Sequence, residues 1–234
     1  MNRAALWRLP TGGRTRGGAA RALLYATALA IGLSCGIFSA RAETVTLVAY
    51  GDSLSAGYNL KEEDSFPVQL EKALKERGHD VRVVNVSVSG DTTAAGLARL
   101  DWSFPQGAQG AILELGANDA LRGHDPKETR ANLDKLIARL KAKGAKVLLA
   151  GMLAPRNMGV KYSTAFDRIY PELARKHDVL FYPFFLYDVV GKRELNLDDG
   201  LHPNPQGVKR IVEQILPKAE ELLQRIAAKP ATTQ

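Results

Sequence analysis

Five short apolar runs rich in β-branched residues punctuate this chain, at 44–50 (TVTLVAY), 81–86 (VRVVNV), 110–115 (GAILEL), 146–150 (KVLLA) and 179–182 (VLFY). Stretches of helical periodicity separate them, at 65–77, 92–100, 127–143 and 163–176, and a last amphipathic segment follows at 205–227. Runs that are apolar on both faces do not suit a sheet with one side in water. Their alternation with helices predicts a five-stranded parallel sheet covered on both sides. Pro217 interrupts the last segment, and a fresh turn of helix is expected to begin there. In sheets of this kind ligands sit beyond the carboxyl ends of the strands, so the residues that follow each run carry the functional information.

The first 42 residues stand apart in charge. They hold Arg3, Arg8, Arg14, Arg16, Arg21 and Arg41, six of the 32 basic residues, and none of the 25 acidic ones. Basic residues, then the uncharged run 22–40, then Ala40-Arg41-Ala42 read as a secretory signal peptide cut near Ala42, with an uncleaved anchor as the alternative. The expected organisation is a leader at 1–42 and a single domain at 43–234, in the periplasm or secreted, with no stable membrane insertion after cleavage. Without the leader, 32 less six leaves 26 cations against 25 anions, a net charge of +1 where the whole chain has +7. The basic excess therefore belongs to the leader, and no case for a nucleic-acid partner survives in the mature part. The single cysteine, Cys35, also lies in the leader, so a mature domain of about 190 residues must rest on its core and not on disulfides.

Three successive strands end in glycine and polar residues: Gly51-Asp52-Ser53, then "SVSGDTT" with Gly90, then "LGANDALRG" with Asn118 and Asp119. All three should open on one edge of the sheet. A fourth element, "LDDGLHPNPQG" at 197–207, brings Asp199 and His202 three residues apart just before the final helix. A hydroxyl, an imidazole, a carboxylate and an amide suit acyl transfer. Serine is a poor nucleophile until an imidazole takes its proton, and a carboxylate on the other ring nitrogen fixes the tautomer. Ser53, His202 and Asp199 fit these roles, while the Ser53 and Gly90 backbone N–H groups and the Asn118 amide could receive the negative oxygen of a tetrahedral intermediate. Taken singly, Ser53 reads as well as a helix cap, His202 as a loop histidine, and Asn118 and Asp119 as turn residues. Taken together, in order and at strand ends, they read as an active site.

The combination of "GDSLS", a lone Gly90, "GAND" and "DGLHPN" resembles the GDSL (SGNH) hydrolase superfamily. Within it, "GDSLSAGY", "ELGANDALRG", "YPELARKHDV" and "DDGLHPN" are similar to the periplasmic group of arylesterases, acyl-CoA thioesterases and lysophospholipases. The resemblance implies a flavodoxin-like three-layer α/β/α sandwich, with Ser53 as nucleophile, Gly90 and Asn118 in the oxyanion hole, and Asp199 and His202 completing the triad. It also selects Asp199 over the neighbouring Asp198. It further implies that residues 120–125, Ala120 and Leu121 among them, form a mobile loop that sets acyl-chain preference. Residues 152–159, with Pro155, are implied to form another wall of the pocket. Close relatives often carry Gly where this chain has Ala117, which bears on local loop shape only.

The expected activity is hydrolysis of small esters, with acyl thioesters or lysophospholipids as further substrates, and no metal or cofactor is called for. Alternatives are a carbohydrate O-acetyl esterase and a catalytically silent lipid- or glycan-binding module on the same fold. Competing chemistries lack their signatures, since the mature chain has no G-x-S-x-G, S-x-x-K, H-E-x-x-H or G-x-G-x-x-G.

Overall fold

The computed structural model describes residues 44–228, so the leader expected at 1–42 lies outside the described residues. The elements run β1 (Val45–Gly51), α1 (Ser53–Ala56), α2 (Phe66–Glu76), β2 (Val81–Asn85), α3 (Thr93–Ser103), β3 (Gly110–Glu114), α4 (Ala117–Leu121), α5 (Pro126–Ala142), β4 (Lys146–Ala150), α6 (Val160–Asp167), α7 (Ile169–His177), β5 (Leu180–Tyr182) and α8 (Pro205–Ala227). The strands form one sheet in the order β2-β1-β3-β4-β5. Every pairing is parallel, with Val45 opposite Val81 and Leu47 opposite Gly110. The expected sheet is therefore present, with α2 packed on α8 in one layer and α3, α5 and α7 packed in the other.

The central strands explain the register. Leu47, Val48, Ala49 and Tyr50 of β1 and all five residues of β3 are buried, because a strand between two helical layers has no solvated face. A one-residue slip would exchange the two faces, each fitted to a different helical layer. Flanking helices contribute one stripe each, such as Leu133, Leu136, Ile137 and Leu140 of α5.

Two prolines behave in opposite ways. The helix expected at 163–176 is broken into α6 and α7 around Arg168. Pro171 explains the break, because it has no N–H to donate to the carbonyl of Asp167 four residues earlier. Pro217 was expected to open a new turn, yet α8 runs continuously from 205 to 227 through it. Val212, Ile215, Leu216, Ala219, Leu222 and Leu223 are buried on one face across that point. Their burial outweighs the one lost helical hydrogen bond, at the exposed Glu213.

Candidate active site

The sequence folds locally into a tight elbow at the end of β1. Asp52 caps α1, its Oδ1 accepting the Leu54 N–H at 3.0 Å, so Ser53 becomes the first residue of a single helical turn. Gly57 then ends the turn in the left-handed region (φ 86°), and its N–H returns to the Ser53 carbonyl. The imidazole comes from the far end of the chain. His202 Nε2 lies 2.9 Å from Ser53 Oγ, and Nδ1 lies 2.7 Å from Asp199 Oδ2. Asp199 is held in turn by the backbone N–H groups of Leu201 (2.8 Å) and His202 (3.0 Å) on Oδ1. These hydrogen bonds, from the His202 backbone first and then its side chain, hold the Asp199 carboxyl at about 2, so it is a carboxylate throughout the neutral range.

The loop carrying this pair is pinned at both ends. Leu197 N–H donates to the His202 carbonyl at 2.8 Å, and Asn196 and Pro203 form an antiparallel bridge. Asn204 caps α8, its Oδ1 accepting the N–H groups of Gln206 and Gly207 at 3.0 Å. The spacing of "DGLHPN" thus combines a turn that aims His202 with a cap that starts the last helix.

Gly90 lies in the loop after β2 with φ 85°, and a Cβ there would have only Arg122, at 3.9 Å, within 4 Å. Glycine is required for the backbone angle rather than by close packing. Asn118, in the first turn of α4, reaches between the Ser53 elbow and the Gly90 loop. Its Nδ2 donates to Asp52 Oδ2 and to the Asp91 carbonyl, each at 3.0 Å. Both amide hydrogens are therefore engaged in this structure, and a donation to an oxyanion would share or replace one of these bonds.

Below the elbow lies a pair of buried acids. Register places Glu114 opposite Gly51, and its Oε2 accepts the Ser55 hydroxyl at 2.8 Å and, at 3.4 Å, the Asp52 N–H. Oε1 is buried with no partner among the described residues. Burial, then the neighbouring Asp52 charge, pushes the Glu114 carboxyl well above the usual range. Burial also raises Asp52, to about 6, against the opposing pull of the Leu54 N–H and the Asn118 amide.

Arg99 of α3 was not singled out in the sequence, yet it joins the end of β1 to both ends of the loop that follows β2. Its Nε donates to Asp91 Oδ2 at 2.5 Å, Nη1 to the Val86 carbonyl at 2.6 Å and Nη2 to the Gly51 carbonyl at 3.2 Å. The guanidinium also lies 4.1 Å from the centroid of the Tyr50 ring. A signal was available: Arg99 falls in helical register with Gly96 and Ser103, on the face of α3 turned to the sheet. Asp119 does comparable work on the next loop, accepting the Thr93 N–H at 2.8 Å and the Thr93 hydroxyl at 2.5 Å.

The segment expected as an acyl-selecting loop begins as the end of α4. Ala120 is enclosed beneath it, whereas Leu121 is 53% exposed, and Asp125 caps α5. Residues 120–125 lie near the segment 152–159 that contains Pro155, where a Cβ on Gly123 would lie 3.4 Å from Met158 Cε, and the Tyr162 hydroxyl of α6 donates to the His124 carbonyl at 2.9 Å. His79 and His177 sit away from the elbow, against Glu220 and Asp134. Among the described residues, no group of three or more His, Cys, Asp or Glu side chains is arranged to hold a metal ion, and no helix is long and apolar enough to cross a membrane.

A hydroxyl, an imidazole and a carboxylate joined by hydrogen bonds, with the Gly90 and Asn118 loops beside them, converge at the carboxyl edge of the sheet. Comparison with known proteins places the same region in familiar company. Residues 49–210 match the profile of the GDSL-like lipase/acylhydrolase family. An arylesterase of Vibrio mimicus is 46% identical over 181 residues, covering 77% of this chain and 89% of that protein. A protein of Escherichia coli K12 named thioesterase 1/protease 1/lysophospholipase L1 is 41% identical over 160 residues, covering 68% and 76%. The crystal structure of TesA superposes with a TM-score of 0.72 at 39% identity, over 76% of this chain and 99% of that one.

Proposed function

The chain belongs to the GDSL-like lipase/acylhydrolase family and is a carboxylic ester hydrolase, and on that premise we propose that it works through an acyl-enzyme on Ser53. The observation that carries this reading is the continuous chain from Ser53 Oγ through His202 to Asp199, at 2.9 and 2.7 Å. As Ser53 attacks the substrate carbonyl, its proton passes to His202 Nε2, and Asp199 holds the other ring nitrogen and balances the new positive charge. The Ser53 and Gly90 N–H groups and the Asn118 amide receive the oxyanion. His202 then protonates the leaving oxygen or sulfur, and a water activated by the same imidazole releases the acid.

Small esters are the primary substrates, and the names of the relatives support thioesters and lysophospholipids as further ones. The basic, apolar and A-x-A order of residues 1–42 supports export to the periplasm or beyond, away from cytosolic acyl-CoA. The test is hydrolysis of p-nitrophenyl esters from acetate to palmitate, with Ser53→Ala as control. Turnover that vanishes with Ser53 supports the mechanism, and its chain-length optimum defines the acyl preference. A folded Ser53→Ala variant as active as the parent would sink it.

A further inference from the structure

The catalytic chain fixes His202 by its edges, because both ring nitrogens are in hydrogen bonds. Its face is covered by a residue that no role above assigns. Tyr58 lies with its ring centroid 4.4 Å from that of His202, the planes inclined by 35°. The elbow itself delivers it there. Gly57 turns the chain in the left-handed region, the Tyr58 N–H donates to the Ser53 carbonyl at 3.3 Å, and Asn59 follows with φ 55°. One reversal of backbone therefore places the nucleophile against one edge of the imidazole and an aromatic face against its plane. Tyr58 is 40% exposed, and its hydroxyl has no hydrogen-bond partner among the described residues, so the ring and not the phenol makes the contact.

We propose that Tyr58 is a positioning residue for catalysis, whose ring holds the His202 imidazole in line between Ser53 and Asp199 and stabilises the imidazolium formed during attack. The proposal rests on the serine-hydrolase reading above. In the step concerned, the Ser53 O–H bond breaks as its oxygen bonds to the carbonyl carbon and the carbonyl electron pair moves to oxygen. The proton goes to Nε2, and the imidazole becomes a cation. The face of a phenol ring is negative, so the attraction is greater for the imidazolium of the transition state than for the neutral imidazole before attack.

The test pairs Tyr58→Phe and Tyr58→Leu with two readouts: kcat and KM on p-nitrophenyl acetate, and the rate at which a small phosphonate modifies Ser53. Tyr58→Phe should keep kcat within about twofold, whereas Tyr58→Leu should lower kcat and the phosphonylation rate about tenfold with KM moving less than about twofold. A leucine variant with unchanged kcat, or with its loss confined to KM as for a mere wall of the acyl pocket, overturns the proposal. Should Tyr58→Leu fail to fold, progressively fluorinated phenylalanines at this position decide the matter, since they drain the ring face without removing it. A stepwise fall in kcat upholds the role, and a flat series overturns it. If the parent protein itself is neither active on the ester nor modified at Ser53, the serine-hydrolase reading fails instead.

Discussion

Replacing Arg99 with methionine keeps much of the side-chain volume and removes the charge. Arg99 and Asp91 expose only 7% and 11% of their side chains, so the substitution leaves a carboxylate with little water to replace its partner. Removing one member of a buried pair typically costs about 3–5 kcal/mol. The Val86 and Gly51 carbonyls lose donors at the same time, and Tyr50 loses the cation over its ring. In a domain of this size each kcal/mol lowers Tm by roughly 2–4 °C, so Arg99→Met should melt ~6–20 °C below the parent. Adding Asp91→Asn should recover part of the loss by removing the stranded charge. The difference should persist in ~0.5 M NaCl, because screening acts on exposed charges far more than on buried ones. Thermal and urea unfolding of the three variants would measure it, together with kcat, which should fall because Arg99 ties the Gly51 elbow to the Asp91 loop. A single-variant loss under about 1 kcal/mol, or a double variant no more stable than additivity allows, would refute the reasoning.

Other expectations follow from the same geometry. His202→Ala should lower kcat on p-nitrophenyl esters by several orders of magnitude, and Asp199→Ala by less, with folding intact by circular dichroism. Glu114 is a raised acid: above the ordinary glutamate range the unfolded chain releases its proton while the folded one retains it, so stability is lost as pH rises. Glu114→Gln removes this titration, and its urea midpoint should fall less than the parent's between pH 5 and 8. Equal slopes would show that Glu114 is charged in the fold. Pro217→Ala restores an N–H for the Glu213 carbonyl at an exposed position of α8 and should raise stability by about 1–3 kcal/mol, measured as a rise in Tm.

The alternating pattern was enough to establish the five parallel strands, because strands buried on both faces must be apolar throughout and helices must carry a single stripe. Ser53, Gly90, Asn118, Asp199 and His202 stand out in the sequence as candidates because each lies in a short motif at a strand or helix boundary. The structure brings Ser53, His202 and Asp199 into one hydrogen-bonded chain, and sets Asn118 between the two loops that flank it. Other features had no local signature. Pro171 follows a break between two helices and Pro217 leaves its helix continuous, although both interrupt helical patterns and both have buried neighbours. Arg99 and Glu114 read as ordinary charged residues until the sheet places one between the end of β1 and the loop after β2 and the other beneath the Ser53 elbow. Tyr58 meets His202 across 144 positions of sequence, and Asn118 donates to Asp52 across 66. Periodicity and turn chemistry report on a residue's own few neighbours, whereas burial, charge pairing and ring contact belong to partners that only the folded chain brings together.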